Sequence, residues 1–428
     1  MALDTRVPLA GSAPAPRTAP DEAARHGGAA ALLLNVAHAL DHLMLLVFAT
    51  AVSAIAADFG IARWEDLMPY ATGAFVMFGL GSLPSGRLGD LWGRRAMMLV
   101  FFFGLGASSL LVAAAQGPWQ IFGALSLMGL FASIYHPVGI PMLVQGAARP
   151  GWVIGVNGLA GNLGIAAAAL STGLLVKYAG WRAAFVVPGL VAIGCGIAFA
   201  RIAPREATPP ARRAPRQLEL SPATVAQVLL ALTLTSTTAS LIFNFTTNGN
   251  AELLAARMRA VTADPALLGV LLAMVYVVAS FAQLAVGRAI DRYPLRGLFL
   301  AIVAMQVPLF LLASGAQGWL LYGVAIAFMA FVFGAIPFTD AIIVRYVDDR
   351  ARSRVAGLRL TVSFGVSSLA VWLLGPFVKS AGFDALFATM AGIAVVTLLG
   401  VALLPRPHER SAVAPAPAEG GRGRVPPA

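Results

Sequence analysis

The chain is laid out as apolar runs of about 20 residues or more, separated by short charged turns. A run of that length, wound as a helix, matches a hydrocarbon core about 30 Å thick, whereas barrel strands would read as short alternating segments. Lipid offers no partner to a backbone N–H or C=O, so such runs satisfy their own backbone as helices. Composition agrees: 59% of residues are hydrophobic and 11% charged, against about 25% charged in soluble domains. The fold class that follows is an all-α membrane protein.

Transmembrane spans are predicted at about 29–57, 65–85, 96–115, 118–144, 153–176, 181–201, 221–248, 263–286, 295–315, 318–345, 354–379 and 382–404. That makes twelve, divided six and six by a polar linker at 202–220, with bundles at 29–201 and 221–404. Residues 1–28 are Ala/Pro-rich and lack an apolar stretch ending in a small-residue cleavage site, so they read as a disordered cytoplasmic tail. Residues 405–428 read as a second one.

The formal charge of +11 does not point to nucleic acid, because the arginines sit in short loops between spans and not on a polar domain. With the N-terminus inside, one face takes Arg87, Arg94, Arg95, Arg149, the 201–216 cluster, Arg288, Arg292, Arg296, Arg345, Arg350, Arg352 and Arg354. The other takes only Arg63, Lys177, Arg182, Arg257, Arg259 and Lys379. By the positive-inside rule both termini are cytoplasmic, and the protein belongs in the cytoplasmic (inner) membrane. The single cysteine, Cys195, lies in an apolar run and excludes an intrachain disulfide.

The turn Gly86-Arg87-Leu88-Gly89-Asp90-Leu91-Trp92-Gly93-Arg94-Arg95 returns as Gly287-Arg288-Ala289-Ile290-Asp291-Arg292-Tyr293-Pro294-Leu295-Arg296. Val176-Lys177-Tyr178-Ala179-Gly180 returns as Val378-Lys379-Ser380-Ala381-Gly382, and Pro137 is answered by Pro337. The offset is nearly constant, so the two six-helix halves share one plan. Parallel repeats of this kind are used by transporters that hold substrate between the halves near mid-membrane.

The Gly-x-Leu-x-Asp-x-x-Gly-Arg-Arg turn between spans two and three, its degenerate copy between spans eight and nine, and the six-plus-six plan together resemble the major facilitator superfamily. The resemblance covers the whole membrane region. Ala37-His38, Tyr135-His136-Pro137 and Gly161-Asn162-Leu163-Gly164 are similar to the fosmidomycin-resistance branch. The chain departs from that branch at Val138, where a glutamate usually follows His-Pro, from drug antiporters at Ala169, where they commonly carry the proline of a Gly-Pro pair, and from many superfamily members at Leu125, where they have an arginine. The resemblance implies twelve transmembrane helices in two pseudo-symmetric six-helix bundles. It also implies a conformational latch built from Gly86, Asp90, Gly93 and Arg94, with Asp291 and Arg292 as the weaker copy, whose contacts break as the halves rock. Helix capping and loop charge are the plain alternative, sufficient for Arg95.

His38, Asp41 and His42 are spaced i, i+3 and i+4 and so share one face of span one, with Asn35 nearby. Ionisable groups at membrane depth are costly and face a bundle interior or a watery cavity. Burial raises carboxyl pKa values in general and histidine begins near 6.5, so Asp41 with His38, His42 or His136 is a candidate for carrying protons. The alternative is a neutral hydrogen-bonded knot fixing span one to span five or seven.

His136 precedes Pro137, which removes a backbone donor, so a kink and a polar side chain coincide. Ser126, Gly129, Ser133 and His136 share a face suited either to close packing or to a cavity wall. Tyr135, His136, Asn162, Asn244, Asp340 and Arg359 are the substrate-cavity candidates. Asp340 and Arg359 stand equally far from the loop between them and are expected to pair. At Phe243 to Asn250, span seven is expected either to break as a movable gate or simply to end. No metal is expected, since neither cysteine nor an acidic cluster accompanies the histidines at ligand spacing.

The expected function is secondary active transport by alternating access without a cofactor, drawing on the proton gradient. The partners are a small-molecule substrate, protons and the lipid bilayer, with no nucleic acid and a monomeric chain. Proton-coupled export of a small organic molecule or drug is the first reading. Proton-coupled uptake of an organic anion is the second, and a non-transporting membrane sensor a third. No Gly-x-x-x-x-Gly-Lys-Ser/Thr loop occurs, which argues against ATP-driven pumping. No nucleophile and base converge at one depth, so the chain does not read as an enzyme.

Overall fold

The computed structural model describes residues 19–145, 150–203, 222–346 and 349–405. Among the described residues twelve long helices follow one another. They are α1 (Ala19–Asp58), α2 (Thr72–Trp92), α3 (Arg94–Ala114), α4 (Pro118–Val144), α5 (Pro150–Ala179) and α6 (Trp181–Ile202). After the linker come α7 (Pro222–Arg257), α8 (Pro265–Ile290), α9 (Leu295–Gly315), α10 (Gly318–Tyr346), α11 (349–381) and α12 (383–402). The last two run on from one another and are divided at Gly382, whose φ of 79° and ψ of 174° are not helical. α1 starts at Ala19, inside the stretch read from sequence as a tail.

The repeat in sequence is a repeat in space. Gly180, between α5 and α6, has φ 82° and ψ 165°, nearly the values of its counterpart Gly382 between α11 and α12. A side chain is disfavoured at such a positive φ, which explains glycine in both copies. Arg95 donates through Nε to the Ala203 carbonyl at 2.9 Å, and its counterpart Arg296 donates through Nη2 to the Ala402 carbonyl at 2.9 Å. Each arginine satisfies carbonyls left unpaired where a six-helix half ends, at the negative pole of that helix.

Helix contacts obey the same symmetry. α1 packs on α5, α2 on α4 and α3 on α6, and likewise α7 on α11, α8 on α10 and α9 on α12. Lipid is as apolar as leucine, so close packing at small residues holds such helices together. A Cβ on Gly129 would overlap the Ala74 carbonyl of α2, and one on Gly164 the Ala39 carbonyl of α1. Ser126 and Ser133 lie against Gly73 and Gly81, so this face of α4 serves close packing with α2.

The halves meet along α2–α11 and α5–α8, which are symmetry mates. Phe78 and Phe364 pack as a tilted pair with ring centroids 4.2 Å apart, and Gly173 meets the Gly269 backbone, where its Cβ would fall 2.9 Å from Cα. Further links gather at the Arg-poor face: Lys379 pairs with Asp66, Lys177 pairs with Asp264, and Trp64 stacks on Phe383 at 6.4 Å. That face is closed.

One expectation fails. α7 neither breaks nor ends at Phe243 to Asn250 but continues to Arg257. Asn248 and Asn250 are buried inside it, with Asn248 Nδ2 donating to the Asn244 carbonyl at 3.1 Å and Asn250 Nδ2 to Tyr276 Oη at 3.5 Å, so both amides find partners with the helix unbroken.

Candidate functional site

α4 is locally underwound: Tyr135–Gly139 form a π turn. Pro137 has no N–H to give, and its ring would clash with the carbonyl four residues back, so the helix widens by one residue there. The widening carries His136 toward α1. His38 and His136 ring centroids lie 5.1 Å apart, His42 and His136 5.9 Å, and His38 and His42 4.9 Å.

His38 is the anchored member. Its Nδ1 lies 2.7 Å from the Asn157 carbonyl of α5. A carbonyl only accepts, so Nδ1 carries the proton and Nε2 presents its lone pair. Tyr135, fully buried, stacks beneath the ring at 4.7 Å. Asn157 Nδ2 donates to Tyr135 Oη at 2.6 Å and to Asn35 Oδ1 at 3.0 Å, locking α1, α4 and α5 together. Nothing in the spacing of span one pointed to Asn157; the signal available was an amide at membrane depth five residues before Asn162.

Asp41 is the exception in this network. It is 0% exposed, and among the described residues neither carboxylate oxygen has a hydrogen-bond partner. His136 Nε2 lies 3.6 Å from its Oδ2. A buried polar atom without a partner in a native fold calls for a specific explanation, such as a catalytic role, a water or an ion. The hydrogen-bonded knot therefore accounts for His38 but leaves Asp41 unexplained. His42 Nε2 lies 3.2 Å from His38 Nε2, and His136 keeps 19% of its side chain exposed.

The remaining candidates separate. Asn162, buried on α5, donates to Gln283 Oε1 of α8 at 2.6 Å and so bridges the halves. Asn244 donates to Ser367 Oγ of α11 at 2.7 Å and packs within the second half. Tyr135 is buried behind His38 and lines no open space. Asp340 lies on α10 and is exposed, while the side chain of Arg359 lies outside the described residues, and with it the expected ion pair. A shallow cleft at the Arg-poor face, lined by Ser53, Arg63, Glu65 and Arg259, is remote from the histidines.

In the expected latch, Gly93 has φ 89° between α2 and α3. A Cβ on Gly86 would stand 3.4 Å from Pro137 and one on Gly89 3.0 Å from Val138, so these glycines let α2 seat on the π turn. Arg94 Nη1 donates to Gln145 Oε1 at 3.1 Å. Asp90 is exposed and, among the described residues, makes no ion pair in this conformation. In the copy, Asp291 and Arg292 are exposed at the end of α8 and a Cβ on Gly287 would meet nothing within 4 Å.

Two pseudo-symmetric six-helix halves, closed at one face and meeting around buried polar groups, define a multi-pass membrane transporter. The sequence profile of the Major Facilitator Superfamily matches residues 34–256 and 234–426, and the chain belongs to that family. It is 34% identical to a puromycin resistance protein of Streptomyces alboniger over 31% of this chain and 26% of that one. It is 29% identical to a probable actinorhodin transporter of Streptomyces coelicolor over 39% and 30%. The matched stretch therefore spans under a third of either relative's length. In fold it is similar to a bacterial homolog of the human lysosomal transporter Spinster in an inward-facing, occupied conformation, with a TM-score of 0.66 at 15% identity over 88% of this chain and 96% of that one.

Proposed function

We propose that this transporter exports a small organic molecule by proton antiport across the cytoplasmic membrane, with the Arg-rich face and both termini in the cytoplasm. The observation that carries the coupling is Asp41, a fully buried carboxylate with both oxygens unpartnered beside His136. Such a group gains or loses a proton with a large change in local electrostatics, because it is fully buried and has no hydrogen-bond partner among the described residues. Its position on α1 beside the π turn of α4 lets that change bear on how those helices pack. The relative named for puromycin resistance supports the outward direction. The arginine asymmetry supports the orientation.

In one cycle, protonation of Asp41 from the outer side accompanies inward rearrangement, and its release to the cytoplasm accompanies substrate loading. Asn162 and Gln283, joined across the halves, lie where a substrate between them would compete for their amides. The test is flux of a panel of aromatic antibiotics in proteoliposomes with an imposed pH gradient, comparing wild type with Asp41→Asn and His136→Ala. Asp41→Asn is expected to abolish gradient-driven flux while leaving slow downhill exchange. Full gradient-driven flux in both variants overturns the coupling assignment, and flux in the direction of proton entry turns the protein into an uptake system.

A further inference from the structure

The three ring nitrogens of His38, His42 and His136 that can face one another all lie within 4.8 Å. We propose that these histidines, with Asp41, form a site for one divalent first-row transition-metal ion of the Zn²⁺ type. Sequence spacing gave only the pair His38 and His42; the third donor comes from another helix and reaches the pair through the π turn at Tyr135–Gly139.

The geometry suits a tetrahedral ion. With Zn–N bonds of about 2.0–2.1 Å, two nitrogens on one tetrahedral ion stand about 3.3–3.4 Å apart. His38 Nε2 and His42 Nε2 are 3.2 Å apart, and His136 Nε2 and Asp41 Oδ2 are 3.6 Å apart. The His38–His42 edge is thus already at the ligated length and the His136–Asp41 edge is close to it; binding would draw the three histidine donors, now within 4.8 Å of one another, onto one ion.

The surroundings supply what metal-bound histidine needs. A ligating imidazole donates its other N–H to a carbonyl or carboxylate, which fixes the tautomer and raises its basicity. His38 Nδ1 makes that bond to the Asn157 carbonyl at 2.7 Å and leaves Nε2 for the ion. Without metal, the proton between the two Nε2 atoms belongs to His42; the ion takes its place and His42 passes to its other neutral tautomer, with the ring proton on Nδ1 and the Nε2 lone pair on the ion. Asp41 would then have the partner that its two buried oxygens lack. Three neutral imidazoles and one carboxylate leave a net single positive charge, and the exposed edge of His136 gives the ion a way in. Magnesium and calcium, which take six or more oxygen ligands, do not fit this donor set.

The site coincides with the proposed proton site, so binding is measured without any gradient or substrate. Tag-free full-length protein, purified in detergent, is titrated with Zn²⁺ at mildly alkaline pH by calorimetry. One saturable equivalent is expected, weakened at least about tenfold by His42→Ala and by His136→Ala. Co²⁺ in place of Zn²⁺ is expected to give the intense visible absorption of a four-coordinate site, lost in both variants. If the variants do not fold, diethylpyrocarbonate labelling of wild type decides: Zn²⁺ should protect His38, His42 and His136 while the other two histidines, His26 and His408, react as before. No saturable binding, or unchanged labelling, overturns the proposal. Zn²⁺ binding with gradient-independent transport would leave the metal site standing and remove the proton reading; the reverse result would do the opposite.

Discussion

Asp41 Oδ2 stands 3.6 Å from His136 Nε2, joining the middle of α1 to the π turn of α4 across the interior of the first half. The separation is too long for a hydrogen bond and short enough for each group to feel the other's charge. A carboxylate held this way costs stability, since burial without a partner leaves its desolvation uncompensated. Asp41→Asn, which removes the charge and with it the larger part of that desolvation cost, is therefore expected to raise the thermal midpoint in detergent. A lower midpoint would show that Asp41 is a structural acceptor.

Close packing of α4 on α2 gives a second expectation. Gly129→Ala drives a methyl group into the Ala74 carbonyl, which is backbone and has little room to move. Overpacking of this kind costs about 1–3 kcal/mol or more, so the variant should lose folded yield or several degrees of midpoint. Gly123→Ala on the same helix meets nothing within 4 Å and should be neutral or slightly stabilising. Equal behaviour of the two would remove the packing argument.

The repeated turns predict matched responses. Gly180→Ala and Gly382→Ala each place a side chain at φ near 80°, a cost of about 1–2 kcal/mol apiece. Thermal unfolding of the two single variants should show similar losses, and the double variant their sum, because the turns belong to separate halves.

How much of this was legible in the sequence depends on the range of the interaction. The helices, their number and their symmetry follow from apolar length and from local signals such as Gly180 and Gly382, where one residue type answers one backbone requirement. The face of His38, Asp41 and His42 was equally local, fixed by i, i+3 and i+4. The approach of His136 was not, because it depends on how the helix re-registers around Pro137; Pro337 lies in the corresponding place yet leaves α10 without a π turn. Asn157 escaped notice for the same reason, since its partners come from α1 and α4. The asparagines of α7 misled because turn propensity was weighed without the helices that surround Asn248 and Asn250.

At the Arg-poor face, Lys177 pairs with Asp264 across the halves and holds that carboxyl below the usual carboxylate range. A depressed pKa means the contribution is present above the unfolded value, near 3.9, and is lost as pH falls through the lower folded value. A double-mutant cycle with Lys177→Met and Asp264→Asn should show coupling that is constant from neutral to weakly acid pH and disappears only in strong acid. Being exposed, the pair should also weaken with salt. If the closed face belongs to one state of the cycle, breaking this pair should speed opening; single-molecule distance changes between labels on α5 and α8 would report it.

The turns at 86–95 and 287–296 descend from one plan but are not equally engaged. Gly86 and Gly89 seat α2 against Pro137 and Val138, one helical turn or less from His136, so any movement of the π turn passes to the α2 end that carries Asp90. A Cβ on Gly287 would meet nothing within 4 Å among the described residues, and Pro294 replaces the positive-φ glycine that Gly93 supplies in the first copy. The first turn is thus packed onto the proposed coupling site, and the second rests free of any comparable contact through its glycine. Asp90→Asn should therefore slow transport turnover strongly, on the order of tenfold or more, as expected if a charge-assisted contact of about 1.5–3 kcal/mol is lost in one state of the cycle. Asp291→Asn should slow it far less. Both residues are exposed, so neither change should shift the thermal midpoint appreciably. Measured together in proteoliposomes, equal losses for the two would mean that the latches work as a symmetric pair and that the seating of α2 on the π turn does not set their roles.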